Sequence, residues 1–353
     1  MNVSLPRQRW VRALLLVPPL AGVVALVWWR GPDARVLHDA FTSVYWWLVV
    51  AAIAINLASV VARSLAWDTV IRQAMPPPRP GFPLVFSAFS VGLFANAVLP
   101  GRVGELARVA VLTRRLPREG AWATLVGTVF AHRVFDLVPS LLLIGYVLIT
   151  AKIPDWAITS LILVVVVGFV LFAFAAVTAR RHHRSVLEES GPVRRLLTLA
   201  RHGLGVMHEP GAAAVAVLFQ CLGWLCQFFA VYTAMRAFDI HAPFPAAGLV
   251  LVLMNVATIF PLWPGNIGLL QAAIALPLVQ YGVSYARGFA FGIGLQAIEA
   301  SVGVGIGLLF LAREGLSFAM LRRMEGQTEA SADAAAEEPA ADGARRRRTR
   351  IAG

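Results

Sequence analysis

Two related stretches decide the fold of this chain, and they read Pro100-Gly101-Arg102-Val103-Gly104-Glu105-Leu106 and Pro264-Gly265-Asn266-Ile267-Gly268-Leu269-Leu270. They lie 164 residues apart, and each interrupts a long apolar stretch. The same offset places the apolar run 41–62 on 205–226 and the run 120–150 on 284–314. The sequence therefore predicts two copies of one membrane unit.

The composition assigns the chain to the membrane before any motif is considered. Hydrophobic residues make up 58% of the chain and charged residues 14%, and the mean hydropathy is +0.71. A soluble domain could not bury that much apolar surface. We expect one integral membrane domain over residues 1–315. Residues 316–353, which end in an arginine run, are expected to form a short helix end and a disordered cytoplasmic tail.

The formal charge of +12 is explained by the bilayer rather than by nucleic acid. The arginines cluster between apolar spans, as expected for cytoplasmic loops, and no recognised nucleic-acid motif accompanies them. Cys221 and Cys226 share one apolar run, which suits neither a disulfide framework nor a metal site. The sequence predicts no cofactor and no metal, and it lacks the glycine-rich phosphate loop that ATP hydrolysis requires.

Six apolar runs are long enough to span a bilayer of about 30 Å, and they cover 11–29, 41–62, 120–150, 156–179, 212–236 and 287–313. Arg63, Arg72 and Arg79 follow the second run and are taken to mark the cytoplasmic side. The segments 82–116 and 244–281 each hold a Pro-Gly turn between short apolar arms, which indicates re-entrant helical hairpins. If the hairpin arms span fully, the number of crossings rises from six to ten.

The predicted fold class is therefore an all-α polytopic membrane protein. It consists of a span-span-hairpin-span unit that occurs twice with opposite orientation. The first copy covers about 11–150 and the second about 156–313, and both termini are cytoplasmic. Inverted repeats with broken helices near the midplane are a recurrent transporter architecture.

Ionisable residues within the apolar runs are the main candidates for function, because each costs several kcal/mol in hydrocarbon unless it is paired or hydrated. Glu105 and Arg108 are three residues apart, which places them on one helical face within reach of each other. Arg133 and Asp136 have the same spacing near the middle of the run 120–150. Glu299 falls at the matching depth of the matching run under the 164-residue offset.

The turns themselves supply backbone groups. The helix that starts after Pro100-Gly101 is expected to expose free N–H groups, which favour an anion such as phosphate, and Arg102 would strengthen that attraction. Asn96 and Asn255, on the entry arms, satisfy broken backbone groups or donate to a ligand. The second turn has Asn266 and Gln271 but no charge.

At these residues the chain resembles the flippase-like family that includes the transmembrane region of lysylphosphatidylglycerol synthases. The family pattern Asn-x3-Pro-x-Arg-x-Gly-Glu-x2-Arg is matched in full, by Asn96, Pro100, Arg102, Gly104, Glu105 and Arg108. A later Pro-Gly-x-x-Gly element is matched by Pro264, Gly265 and Gly268. The chain departs from the family where it has His132 before Arg133 and where it has Gln271, since many members carry glutamate at both places.

The resemblance implies movement of an amphiphilic lipid, a phospholipid or a polyprenyl-phosphate-linked lipid, between leaflets of the inner membrane. The expected partners are membrane lipids, with a lipid-modifying enzyme or glycosyltransferase as a further one. The chain is not expected to be an enzyme. The alternatives are an ion-coupled small-solute transporter, an intramembrane transferase and an accessory subunit of a polyprenyl-glycan pathway. The expected translocation residues are Asn96, Pro100, Gly101, Arg102, Gly104, Glu105, Arg108, Arg133, Asp136, Pro264, Gly265, Gly268, Gln271 and Glu299.

Overall fold

The computed structural model describes residues 34–98, 103–116, 121–153, 209–258 and 266–313, with short stretches between 158 and 170. All regular structure in these ranges is helical. The helices are α1 (Ala34–Thr42), α2 (Trp46–Ala74), α3 (Phe82–Val98), α4 (Gly104–Arg115), α5 (Ala121–Thr150), α6 (Pro210–Ala237), α7 (Phe244–Ala257), α8 (Leu269–Leu278) and α9 (Tyr285–Arg313). A single 3-10 turn, Val279–Tyr281, follows α8.

Four of the described helices, α2, α5, α6 and α9, are long and apolar enough to cross a membrane. Their outer faces are unpacked: Trp46, Leu142 and Ile149 expose 66%, 65% and 85% of their surface. Apolar side chains exposed at this density are stable only in hydrocarbon, so the chain is a multi-pass membrane protein. The predicted spans 11–29 and 156–179 and the tail 316–353 lie outside the described residues, apart from the short stretches noted above.

The span predicted at 41–62 is wrong in its bounds. The helix begins at Trp46 and continues to Ala74, where Pro76, Pro77 and Pro78 prevent a further turn. Arg63 therefore lies within the helix and not in a loop that follows it. The three other predicted spans agree with α5, α6 and α9 within two residues at each end.

Four shorter helices form two helical hairpins, α3–α4 and α7–α8. The first hairpin is tightly closed: a Cβ on Gly104 would overlap the carbonyl oxygen of Gly92, and a Cβ on Gly92 would lie 2.8 Å from the carbonyl oxygen of Gly104. Only glycines allow the two backbones to approach this closely. This crossing fixes the start of α4, and with it the side chains of Glu105 and Arg108.

Helix packing follows the 164-residue offset that the sequence indicated. Helices α2 and α6 begin 164 residues apart, and so do α5 and α9. Within the first set of helices α2 packs on α3 and α5, α3 on α4 and α4 on α5, and the same four contacts join α6, α7, α8 and α9. Between the sets, α3 packs on α9 as α7 packs on α5, and α2 on α9 as α6 on α5. Each of these contacts of α2, α3, α4 and α5 therefore has an equivalent when the helices are shifted by 164 residues.

Helices α2 and α6 are equivalent under this offset and form the most extensive helix pair. Three contacts give their relative direction. The Tyr45 N–H donates to Ala237 O over 2.9 Å, Arg63 reaches Gln227 over 2.6 Å, and Val70 packs in one cluster with Ala216. Residue numbers rise along α2 while they fall along α6, so the two helices are antiparallel.

Candidate functional site

The structure brings together four of the predicted charged residues, from α4 and α5. Glu105 forms ion pairs with Arg108 through one carboxylate oxygen and with Arg133 through the other. Arg133 also reaches Asp136, with 3.3 Å between Nη1 and Oδ2. The two pairs expected from the three-residue spacing are present, and Glu105 joins them into one chain of alternating charge.

Arg108 is the buried member of this chain. Its side chain is only 5% exposed, and its guanidinium lies over the rings of Trp67 and Phe89, 4.7 and 5.4 Å from their centroids. Two aromatic faces and one carboxylate therefore replace water around this charge. Arg133 differs, because 49% of its side chain is exposed.

Asp136 is held from α6 by two residues that the sequence analysis did not identify. Trp224 donates from Nε1 to Asp136 Oδ1 over 2.6 Å, and Gln220 donates to the same oxygen over 3.1 Å. The amide of Gln220 lies also 3.4 Å from the carbonyl oxygen of His132. These contacts fix the position of the carboxylate next to Arg133.

Arg63 is the third guanidinium of the site, and its assignment to a cytoplasmic flank was wrong. It donates to Gln227 Oε1 over 2.6 Å, and its guanidinium lies 5.4 Å from the ring centroid of Trp224. Gln227 in turn donates to Glu299 over 3.2 Å. Glu299 therefore joins the site through Gln227, in the helix that the offset had indicated.

Two described backbone amides next to the hairpin turns are occupied rather than free. The N–H of Gly104 donates to Asn96 Oδ1 over 2.8 Å, and at the equivalent position the N–H of Gly268 donates to Gln271 Oε1 over 2.6 Å. The free N–H groups expected at the start of this helix therefore do not include that of Gly104, and those of Gly101 and Arg102 lie outside the described residues. Asn96 satisfies a broken backbone group, which was one of its two expected uses.

Gln271 also donates to Gln296 over 2.5 Å. Gln296 lies on α9, three residues before Glu299. Asn266 donates to Ala257 O over 2.9 Å, and Asn255 to Leu251 O over 2.8 Å. Gly268 adopts a φ of 91°, which explains a glycine there. Five of the predicted site residues lie outside the described residues, and they are Pro100, Gly101, Arg102, Pro264 and Gly265.

A small polar cavity of about 50 Å³ lies at the centre of the charges. Its walls include Arg63, Asn96, Glu105, Arg108, His132, Arg133 and Asp136. Within the described part of the chain, Arg63 Nε, Arg108 Nε and His132 Nδ1 are buried and have no hydrogen-bond partner. Buried polar atoms of this kind are normally satisfied by water or by a ligand, and the cavity has room for a few water molecules.

The residues described include no group of three or more His, Cys, Asp or Glu side chains that could hold a metal ion. Cys221 and Cys226 are both free and partly exposed. The chemistry offered by the site is that of guanidinium and carboxylate groups around a small wet cavity.

Comparison with known proteins agrees with the sequence motifs. The model of the family described as "Lysylphosphatidylglycerol synthase TM region" matches residues 10–307. A UPF0104 membrane protein of Methanothermobacter thermautotrophicus is 24% identical over 284 residues, which cover 74% of this chain and 81% of that protein. One of Methanocaldococcus jannaschii is 23% identical over 205 residues, covering 56% of this chain and 84% of that protein.

A third relative, a UPF0104 membrane protein of Pyrococcus horikoshii, is 24% identical over 127 residues, covering 36% of this chain and 37% of that protein. No solved structure gives a significant match. The family match extends over α1 to α8 and most of α9, and it confirms the resemblance inferred from the residues around Gly104 and Gly268. The chain is therefore a membrane protein that belongs to the family of the lysylphosphatidylglycerol synthase transmembrane region.

Proposed function

We propose that this protein is a flippase-type transporter, which moves an amphiphilic lipid with an anionic headgroup between the leaflets of the inner membrane. One observation is decisive for the proposal. The four charges of α4 and α5 have apolar equivalents in the second half, since Glu105, Arg108, Arg133 and Asp136 correspond at the 164-residue offset to Leu269, Ala272, Ala297 and Ala300. The same helix packing therefore forms without them, and we assign the charges to function.

The depth of the charges supports the same conclusion. Arg133 lies 12 residues into α5, about 18 Å along its axis at 1.5 Å per residue. Glu299 lies 14 residues into α9, about 21 Å along. Both positions are near the middle of the hydrocarbon if the helices cross it. Charges at this depth cost at least about 2.5–3.5 kcal/mol each when unpaired. Several of them together support a polar path through the bundle.

An inverted repeat provides the transport architecture. Its support is the antiparallel packing of the equivalent helices α2 and α6 and the shortness of the hairpin arms. The arms contain 17 and 12 residues in the first hairpin and 14 and 10 in the second. At 1.5 Å per residue they extend about 26, 18, 21 and 15 Å, less than the hydrocarbon thickness of about 30 Å. The proposed topology also includes re-entrant hairpins, which enter and leave the membrane on the same side, and two cytoplasmic termini.

In the proposed mechanism Arg133, whose side chain is half exposed, attracts the headgroup phosphate, since guanidinium and phosphate form strong charge-assisted hydrogen bonds. Glu105 bridges Arg133 and Arg108 and offsets part of their positive charge when the headgroup is absent. Asp136, held by Trp224, limits the reach of Arg133. Water in the small cavity keeps the route hydrated, while the lipid tails remain in the bilayer. The protein binds and moves its substrate without changing it chemically.

The test uses the purified full chain in lipid vesicles that contain a trace of tail-labelled fluorescent phosphatidylglycerol or phosphatidylcholine. Dithionite added outside bleaches only the outer leaflet, so continued bleaching measures movement from the inner leaflet. We expect faster movement of the anionic lipid than in protein-free vesicles. Rates equal to those of protein-free vesicles for both lipids would overturn the proposal. Equal acceleration of both lipids would contradict the claim that the protein prefers an anionic headgroup.

A further inference from the structure

An apolar groove of about 480 Å³ lies between α5, α6 and the start of α7. It is lined by Pro139, Leu142, Leu143, Tyr146, Cys221, Trp224, Leu225, Phe228, Phe229 and Phe244. Its volume is in the range of about 300–1,000 Å³ that is typical of ligand pockets. No role has been assigned to it above.

The groove belongs to the surface that faces lipid. Leu142, Leu225 and Phe229 expose 65%, 50% and 41% of their surface, and these side chains form the open side of the groove. Water does not fill an apolar space of this kind, so in a membrane its content is hydrocarbon.

In the other half the equivalent helices α9 and α3 pack more closely than α5 and α7, and the side chains explain why. At the 164-residue offset Pro139 and Leu143 of α5 correspond to Gly303 and Gly307 of α9. A Cβ on Gly307 would overlap Phe94, so the glycines let α9 pack directly on α3. The bulkier residues of α5 cannot pack on α7 in this way, and a groove remains.

Trp224 joins the groove to the charged cluster. One part of its ring lines the groove, while its Nε1 donates to Asp136 over 2.6 Å. Asp136 is the ion-pair partner of Arg133. The indole ring of Trp224 and the carboxylate of Asp136 therefore lie between the groove and the guanidinium of Arg133.

We propose that the groove binds one hydrocarbon chain of the amphiphile whose anionic headgroup is recognised by Arg133. This inference rests on the proposed function and deepens it, because it places the tail during headgroup passage. The argument combines charge and shape, because an apolar groove that ends at Trp224, next to the charged cluster, matches an amphiphile. The groove thereby selects lipids over small polar solutes.

The test uses the full chain in vesicles containing a phospholipid with a photoreactive diazirine in the middle of one acyl chain. After illumination, adducts are located by peptide mass spectrometry. We expect adducts on the segments of α5 and α6 that contain Leu142 and Leu225, in excess over the exposed face of α9 that contains Leu309. Labelling at equal density along all lipid-facing helices would overturn the inference. So would absence of adducts in the groove, the result expected if the apolar run 156–179 filled it.

A matched pair of substitutions tests the functional consequence. Leu142→Trp fills the groove, while Leu309→Trp adds the same ring on α9, where Leu309 is exposed to 67% against 65% for Leu142. We expect Leu142→Trp to lower both the groove adducts and the rate of lipid movement at least about fivefold, and Leu309→Trp to change neither. Equal rates for the two variants, with unchanged unfolding midpoints, would overturn the inference.

The two proposals fail in different ways. If the wild-type chain moves lipid but Leu142→Trp and the adduct pattern show no role for the groove, the tail site is wrong and the transport function stands. If the groove is labelled but vesicles with wild-type protein show no lipid movement, the groove is a lipid site and the transport function is wrong.

Discussion

Replacing Glu105 by glutamine tests whether this carboxylate neutralises the buried guanidinium of Arg108. Glu105 pairs with Arg108, which is 5% exposed, and with Arg133, which is 49% exposed. The amide keeps the size of the side chain and removes only its charge. The variant therefore leaves Arg108 buried between Trp67 and Phe89 without its anion.

The magnitude follows from the difference in burial between the two arginines. Removing one partner of a buried ion pair costs about 3–5 kcal/mol. The contact with Arg133 adds less than about 1 kcal/mol, because that side chain is half exposed and keeps Asp136. In the double variant Glu105→Gln with Arg108→Met no buried charge is left unpaired, so at least about 2 kcal/mol of the loss should be recovered.

The assay is reversible unfolding in mixed micelles with an increasing fraction of denaturing detergent, followed by tryptophan fluorescence. Trp67 stacks on Arg108 and reports directly on this region. The order of stability should be wild type, double variant, then Glu105→Gln alone. A double variant as unstable as Glu105→Gln, or a Glu105→Gln protein as stable as wild type, would refute the reasoning.

Three further predictions concern helix contacts. Gly104→Ala should lower the unfolding midpoint and stop lipid movement, because its Cβ would overlap Gly92 O, whereas a Cβ on Gly145 meets nothing within 4 Å and Gly145→Ala should change neither. Trp224→Phe should cost about 1.5–3 kcal/mol in unfolding, since it removes a hydrogen bond to the carboxylate of Asp136. Cysteines placed just before α2 and just before α6, in a chain without its native cysteines, should react with an impermeant maleimide from opposite sides of the membrane; labelling from the same side would contradict the inverted repeat.

Sequence periodicity was sufficient for contacts within one helix. The pairs Glu105–Arg108 and Arg133–Asp136 follow from a three-residue spacing, and the structure contains both. The bounds of α5, α6 and α9 follow from the lengths of their apolar runs. These features depend on the spacing of residues within one helix and on the length of each apolar run compared with the bilayer thickness. Both the spacing and the length can be read from the sequence.

Contacts between helices were not predictable in this way. Arg63 was misplaced because its apolar run ends at residue 62, whereas the helix continues through residues buried against neighbouring helices. The available signal was that Gln227, at the same offset, is also polar. Trp224 and Asp136 are 88 residues apart, and no spacing rule relates them. Asn96 was expected either to satisfy a broken backbone group or to donate to a ligand, but no spacing rule identified the amide of Gly104, on the following arm, as its partner.

The central claim is that a guanidinium inside the bundle draws a lipid headgroup through the membrane, and Arg133→Gln measures it most directly. Loss of Arg133 leaves Asp136, whose side chain is 17% exposed, without its ion-pair partner, so the unfolding free energy should fall by up to about 3–5 kcal/mol. Transport rates are compared only for protein that remains folded. A hydrogen bond to a charged group is worth about 1.5–3 kcal/mol, so the rate of phosphatidylglycerol movement should fall at least about tenfold. Arg313→Gln, at the end of α9, should keep the wild-type rate. A folded Arg133→Gln protein that moves phosphatidylglycerol at the wild-type rate would contradict the account.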